Sequence, residues 1–98
     1  MHKVIRKSDA SIRHIADNKI AINYVTKDLS PEVSLAVTEA TDYYEKETTE
    51  YNRIYYTLDG ELTLIFDGQE VKLAAGDSCF VAKGTEYEMR GTFQALMV

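Results

Sequence analysis

The sequence predicts an all-β domain, a small antiparallel barrel or sandwich with no long helix, and three observations predict it. All five glycines fall in the last 39 residues, at Gly60, Gly68, Gly76, Gly84 and Gly91, spaced by eight, eight, eight and seven. Glycine takes positive φ at no steric cost and collects where a chain reverses, so this beat leaves room for a short strand plus a tight turn. Apolar and polar residues alternate with a period of two in several stretches, as in a half-buried strand. Asp-Gly pairs stand between two of those stretches, a short-range hairpin signal.

The elements follow in chain order. Val4–Arg6 reads as a short edge strand, ended by the polar run Ser8-Asp9-Ala10-Ser11. Asp17-Asn18 turns the chain between strands at Ser11–Ile15 and Ile20–Lys27, the second rich in Ile, Tyr, Val and Thr. Asp28-Leu29-Ser30-Pro31 is the next break, where Pro31 restricts Ser30 to an extended shape. Val33, Leu35 and Val37 then alternate with Ser34, Ala36 and Thr38, giving one apolar face. A short helix competes there, because Ala36, Glu39 and Ala40 tolerate one. Thr41–Glu50 carries Asp42, Glu45, Glu47 and Glu50 against Lys46 alone, and reads as a solvated acidic loop over Tyr43 and Tyr44.

From Arg53 the pattern strengthens. Arg53–Asp59 is a strand with its turn at Asp59-Gly60, and Glu61–Asp67 follows with Leu62, Leu64 and Phe66 on one face. Asp67-Gly68 turns it back into Gln69–Ala74, where Val71 and Leu73 continue that face. Gly76-Asp77, Ser78–Ala82, Lys83-Gly84-Thr85 and Glu86–Arg90 lead to Thr92–Val98, where Phe93, Ala95 and Met97 share a side. These make about nine strands in one domain over residues 1–98.

Composition excludes several roles. A net charge of −5 lacks the basic footprint of a nucleic-acid binder, and no apolar run is long enough to span a membrane as a helix. The basic N-terminus has no apolar stretch behind it and is no secretory signal, and the lone Cys79 fits a reducing, cytoplasmic setting.

The turns carry a resemblance. Tyr55-Tyr56-Thr57-Leu58-Asp59-Gly60-Glu61-Leu62, Asp67-Gly68, Leu73-Ala74-Ala75-Gly76-Asp77 and Phe80-Val81-Ala82-Lys83-Gly84-Thr85 resemble the central half of a cupin. Its two motifs fall at about residues 46–60 and 76–91, and the likeness implies a jelly-roll barrel, the antiparallel double-stranded β-helix. Within cupins, Leu58–Leu62, Ala75–Asp77, Lys83-Gly84 and Glu88–Thr92 are most similar to the small cupin of ethanolamine-utilisation operons. That likeness implies a bacterial cytoplasmic protein linked to small-metabolite catabolism, and cupins are commonly homodimers.

The resemblance also implies a metal held by two histidines and a glutamate of the first motif and one histidine of the second, and this sequence does not keep those ligands. The glutamate position is Arg53, the last histidine position is Tyr87, and Ala82 replaces the motif's proline. The paired histidines fall at Glu47 and Thr49, or one residue earlier at Lys46 and Thr48. The expectation is therefore no metal and no other cofactor. His14 is expected to be structural, with a site of His14, Glu47 and a tyrosinate as the remote alternative.

The replacements suggest another chemistry. With Arg53 pointing inward, Tyr55 and Thr57 share its face, and Tyr87 and Met89 meet them from across the barrel. A buried guanidinium needs a partner. Either Glu47 supplies it, with Tyr55 and Tyr87 completing the hydrogen bonds, or Arg53 grips a small polar or anionic molecule in a site of Arg53, Tyr55, Tyr87, Glu47 and Thr49. Three roles stay open: a metal-free binding module, an enzyme using Tyr87 and Glu47 as acid and base or a metal with unusual ligands, and a structural barrel filled by its own side chains. Cys79, beside Phe80 and Val81, is expected to pack as a small apolar residue.

Overall fold

Seven strands form in the computed structural model, which describes all residues from Met1 to Val98. They are β1 (Ser11–Ala16), β2 (Lys19–Val25), β3 (Leu35–Thr48), β4 (Arg53–Phe66), β5 (Gln69–Ala74), β6 (Ser78–Val81) and β7 (Glu86–Met97). All pairings are antiparallel, in the order β1-β2-β3-β7-β4-β5, with β6 on the first part of β4. The two halves of β4 serve different neighbours, Arg53–Tyr56 pairing with β6 and Glu61–Phe66 with β5. This is the small cupin-like barrel the sequence predicts.

Several boundaries differ from the sequence reading. Asp59-Gly60 does not reverse the chain: β4 runs through it, and β7 likewise runs through Gly91. At Gly60 (φ 75°) a Cβ would stand 2.2 Å from the Thr92 carbonyl oxygen, and at Gly91 (φ 130°) 2.4 Å from that of Glu61. These glycines let the paired strands β4 and β7 approach closely, so four of the expected strands merge into two. Val4–Arg6 forms no strand, and a 3-10 turn at Lys7–Asp9 precedes β1 instead. The acidic segment expected as a loop is the second half of β3, kinked at Asp42 (φ 46°) where the register to β7 shifts.

The core is a stripe of inward side chains. Leu62, Leu64 and Ala95 are fully buried, with Phe93, Leu73, Val81 and Met89 around them. Burying one such Leu contributes about 1.5–3 kcal/mol. On β3 the inward residues are Ala36, Thr38 and Ala40, so the apolar face expected of Val33, Leu35 and Val37 is the outer one. Cys79 on β6 is half-buried and packs against this core as expected of a small apolar residue, and burial pushes its thiol pKa up.

Candidate functional site

Alternation along β3 sends Tyr43, Glu45 and Glu47 inward, and the register Glu47↔Tyr87 sets a carboxylate beside a phenol. The inward pair is therefore Glu47 and Thr49. Lys46 and Thr48 are exposed, and Lys46 meets Glu86 at 3.4 Å on the surface. Tyr87 donates its hydroxyl hydrogen to Glu47 Oε1. A phenol has one proton, so the 2.5 Å contact between the Tyr55 and Tyr87 hydroxyls is donated by Tyr55. Tyr87 stacks on Phe66 at 5.8 Å between centroids and meets Tyr55 edge-on at 6.3 Å.

Burial pushes the Tyr55 phenol up to about 12, with the Tyr87 hydrogen bond pulling the other way and the Glu47 charge adding to the rise. Tyr87 moves further in the same direction, through burial first and then its hydrogen bonds to Glu47 and Tyr55. Both phenols therefore stay protonated at neutral pH, and the chain runs Tyr55 to Tyr87 to Glu47.

Arg53 is bound less completely. Its Nε lies 3.7 Å from Glu47 Oε1 and, though buried, makes no hydrogen bond. Its Nη1 donates to Met97 Sδ at 3.2 Å, and a thioether is a weak acceptor. The Arg53 and Glu47 side chains are 25% and 30% exposed, so their attraction is screened and is worth under about 1 kcal/mol.

Thr49 stands apart from this group. Its hydroxyl donates to the Tyr51 carbonyl at 2.7 Å and accepts from the Tyr51 N–H, while its backbone is tied to Gly84 and Thr85. His14 is exposed on β1, paired with Ile20. Two interior residues escaped the sequence reading. Lys19, 5% exposed, meets Glu45 at 2.7 Å and lies 4.7 Å over the Tyr43 ring. Spacing alone offers the signal: Tyr43, Glu45, Glu47 and Thr49 recur every two residues, an inward polar stripe that matches a solvated loop in composition.

The positions that the resemblance assigns to metal ligands do not fit a divalent cation. They offer one carboxylate, already accepting from Tyr87, a phenol held protonated and a guanidinium at 3.7 Å. No group of three or more His, Cys, Asp or Glu lies together anywhere in the chain. A cavity of about 550 Å³ instead borders Arg53, where the end of β2, the starts of β3 and β4 and the end of β7 meet. Arg53 and Met97 line it, but Glu47, Tyr55 and Tyr87 do not. A more open hollow of about 590 Å³ beside Lys19 and Gly60 holds none of the Arg53 group.

The comparisons agree with this fold. The model of the cupin domain family matches residues 34–98. The acetate kinase EutQ of Clostridioides difficile (strain 630) is 32% identical over 68 residues, which are 64% of this chain and 43% of that protein. The chain thus spans less than half of that relative. A Salmonella typhimurium LT2 structure assigned as ethanolamine utilization protein Q superposes with a TM-score of 0.75 at 22% identity, over 81% of this chain and 66% of that one. The polyketide cyclase RemF of Streptomyces resistomycificus gives 0.82 at 15% identity, over 99% and 78%. Identities this low carry the fold alone.

Proposed function

The chain belongs to the cupin domain family, and from that premise we propose that it is a binding domain that holds a small anionic molecule on Arg53 and works without the family's usual metal. One observation carries this reading: the guanidinium borders a cavity of about 550 Å³ with its hydrogen-bonding capacity largely unused. Arginine presents five donors in a fixed fork suited to carboxylate or phosphate. Here its one protein hydrogen bond goes to sulfur. Glu47 steadies the Nε side without closing on it, which leaves the Nη edge for a ligand. Tyr55 and Tyr87 hold Glu47 in place and act as framework rather than as acid and base.

The likeness to EutQ proteins supports a link to ethanolamine-type catabolism, and the fold's lone half-buried thiol supports a cytoplasmic setting. The kinase activity of the Clostridioides difficile EutQ belongs to a protein of which this chain spans 43%, and it does not carry over to the chain.

The test is calorimetric titration of acetate and inorganic phosphate into wild type and Arg53→Met, with metal analysis of protein purified without a histidine tag. Wild type is expected to bind at least one anion and Arg53→Met to lose it, with metal far below one equivalent. Stoichiometric iron, manganese or zinc, or anion binding untouched by Arg53→Met, overturns the reading.

A further inference from the structure

The cavity beside Arg53 is not a polar one. Met97, Leu35, Pro31, Val33 and Phe80 form much of its wall, contributed by β7, β3, β6 and the segment before β3. Val33 and Phe80 remain 55% and 62% exposed at its edge. The other charged side chains of the lining, Lys27 and Glu32, are opposite in sign and exposed, so Arg53 is the only half-buried charge.

A phosphate or a short dicarboxylate would satisfy Arg53 and leave that wall wet. An alkyl tail alone would cover the wall and leave the guanidinium short of acceptors. From this pairing we infer that the ligand is an amphiphilic acid: a carboxylate on Arg53 carrying an apolar tail along Leu35, Val33 and Phe80. The inference rests on the Arg53 reading and narrows it to a chemical class. The carboxylate takes the Nη edge, with Glu47 remaining on the Nε side. The tail runs out of the barrel toward the 26–34 segment, whose turn is pinned by the Leu29 and Ser30 N–H groups on the Thr26 carbonyl.

The experiment titrates acetate, butanoate, hexanoate and octanoate, with succinate, inorganic phosphate and hexanol, into wild type, Arg53→Met and Val33→Asp. Val33 lies outside the strands and is largely exposed, so Val33→Asp is expected to fold. Affinity should rise with each methylene from acetate to hexanoate, by at most about fourfold, the value for full burial of each group. Arg53→Met should bind hexanoate no better than hexanol, and Val33→Asp should flatten the chain-length series. Succinate or phosphate binding as tightly as hexanoate, with both lost in Arg53→Met, overturns the amphiphile and leaves the Arg53 reading standing. No anion binding to wild type at all overturns both, as it would if a second copy of the chain covered the cavity.

Discussion

Tyr87 is the residue on which the interior turns. It stands where the family resemblance places a metal-binding histidine, yet its hydroxyl joins Tyr55 to Glu47. Tyr87→Phe leaves the buried Tyr55 hydroxyl without an acceptor, so it should cost about 1–3 kcal/mol. Adding Tyr55→Phe should cost little more, because the orphaned group is then removed; urea unfolding of both single variants and the double variant measures the coupling. The raised phenol pKa values set the alkaline behaviour. Tyr55 near 12 when folded and about 10 when unfolded means that, between those values, the unfolded chain loses a proton that the folded one keeps. The stabilisation is whole below about pH 10 and is lost as pH rises toward 12, by about 2–3 kcal/mol for this residue. Urea midpoints across that range should fall, and Tyr55→Phe should flatten the fall. A native phenolate titration in which Tyr55 ionises with the exposed tyrosines would sink this account.

Among the elements, the hairpins were legible and the bends were not. Asp67-Gly68 was readable because a two-residue turn is local chemistry, and both residues take positive φ (51° and 79°). Gly60 and Gly91 give the same local signal but act through a distant strand, since the atoms that exclude a Cβ there belong to Thr92 and Glu61. Nothing near Gly60 in sequence names Thr92. The inward half of β3 was hidden for a related reason: a strand that lines a polar interior has the composition of an exposed loop, and only its pairing with β7 separates the two. The same register was what left Lys19 and Glu45 unseen while Glu47, Arg53, Tyr55 and Tyr87 could be counted off from the turns. The glycines can be sorted by substitution. Gly60→Ala and Gly91→Ala should each cost about 3 kcal/mol or more, because strain adds to backbone collision. Gly76→Ala, with open space around it, should cost only the positive-φ penalty of about 1–2 kcal/mol. Equal urea midpoints for the three variants would refute the close approach of β4 and β7 as the reason for the first two.

At the scale of the whole molecule, the sheet has a second face that the barrel interior does not use. Ile12, Ile22, Val37, Leu96 and Tyr56 stand directly opposite one another across β1, β2, β3, β7 and β4. Side chains paired in this way share one side of the sheet, so they form a single apolar row on the outside. Ile22 is buried, but Ile12 and Tyr56 are 61% and 40% exposed. Ile54 and Phe80, paired in the next row, belong to the cavity lining, whereas none of the five residues of this row does. A patch of this kind on one face suits an isologous contact, in which the same row meets itself across a two-fold axis. That is the route by which the expected homodimer would form, and it makes the outer face testable apart from the ligand site. Leu96→Glu puts a carboxylate into that row on each copy while its neighbours Ala95 and Met97 keep facing inward. The substitution should weaken the dimer by about 2–4 kcal/mol, roughly thirtyfold to a thousandfold in dissociation constant, with the monomer still folded. Sedimentation equilibrium over a concentration series reads that change. A wild-type chain that stays monomeric at high concentration would remove the dimer and leave the exposed row to be explained by another partner.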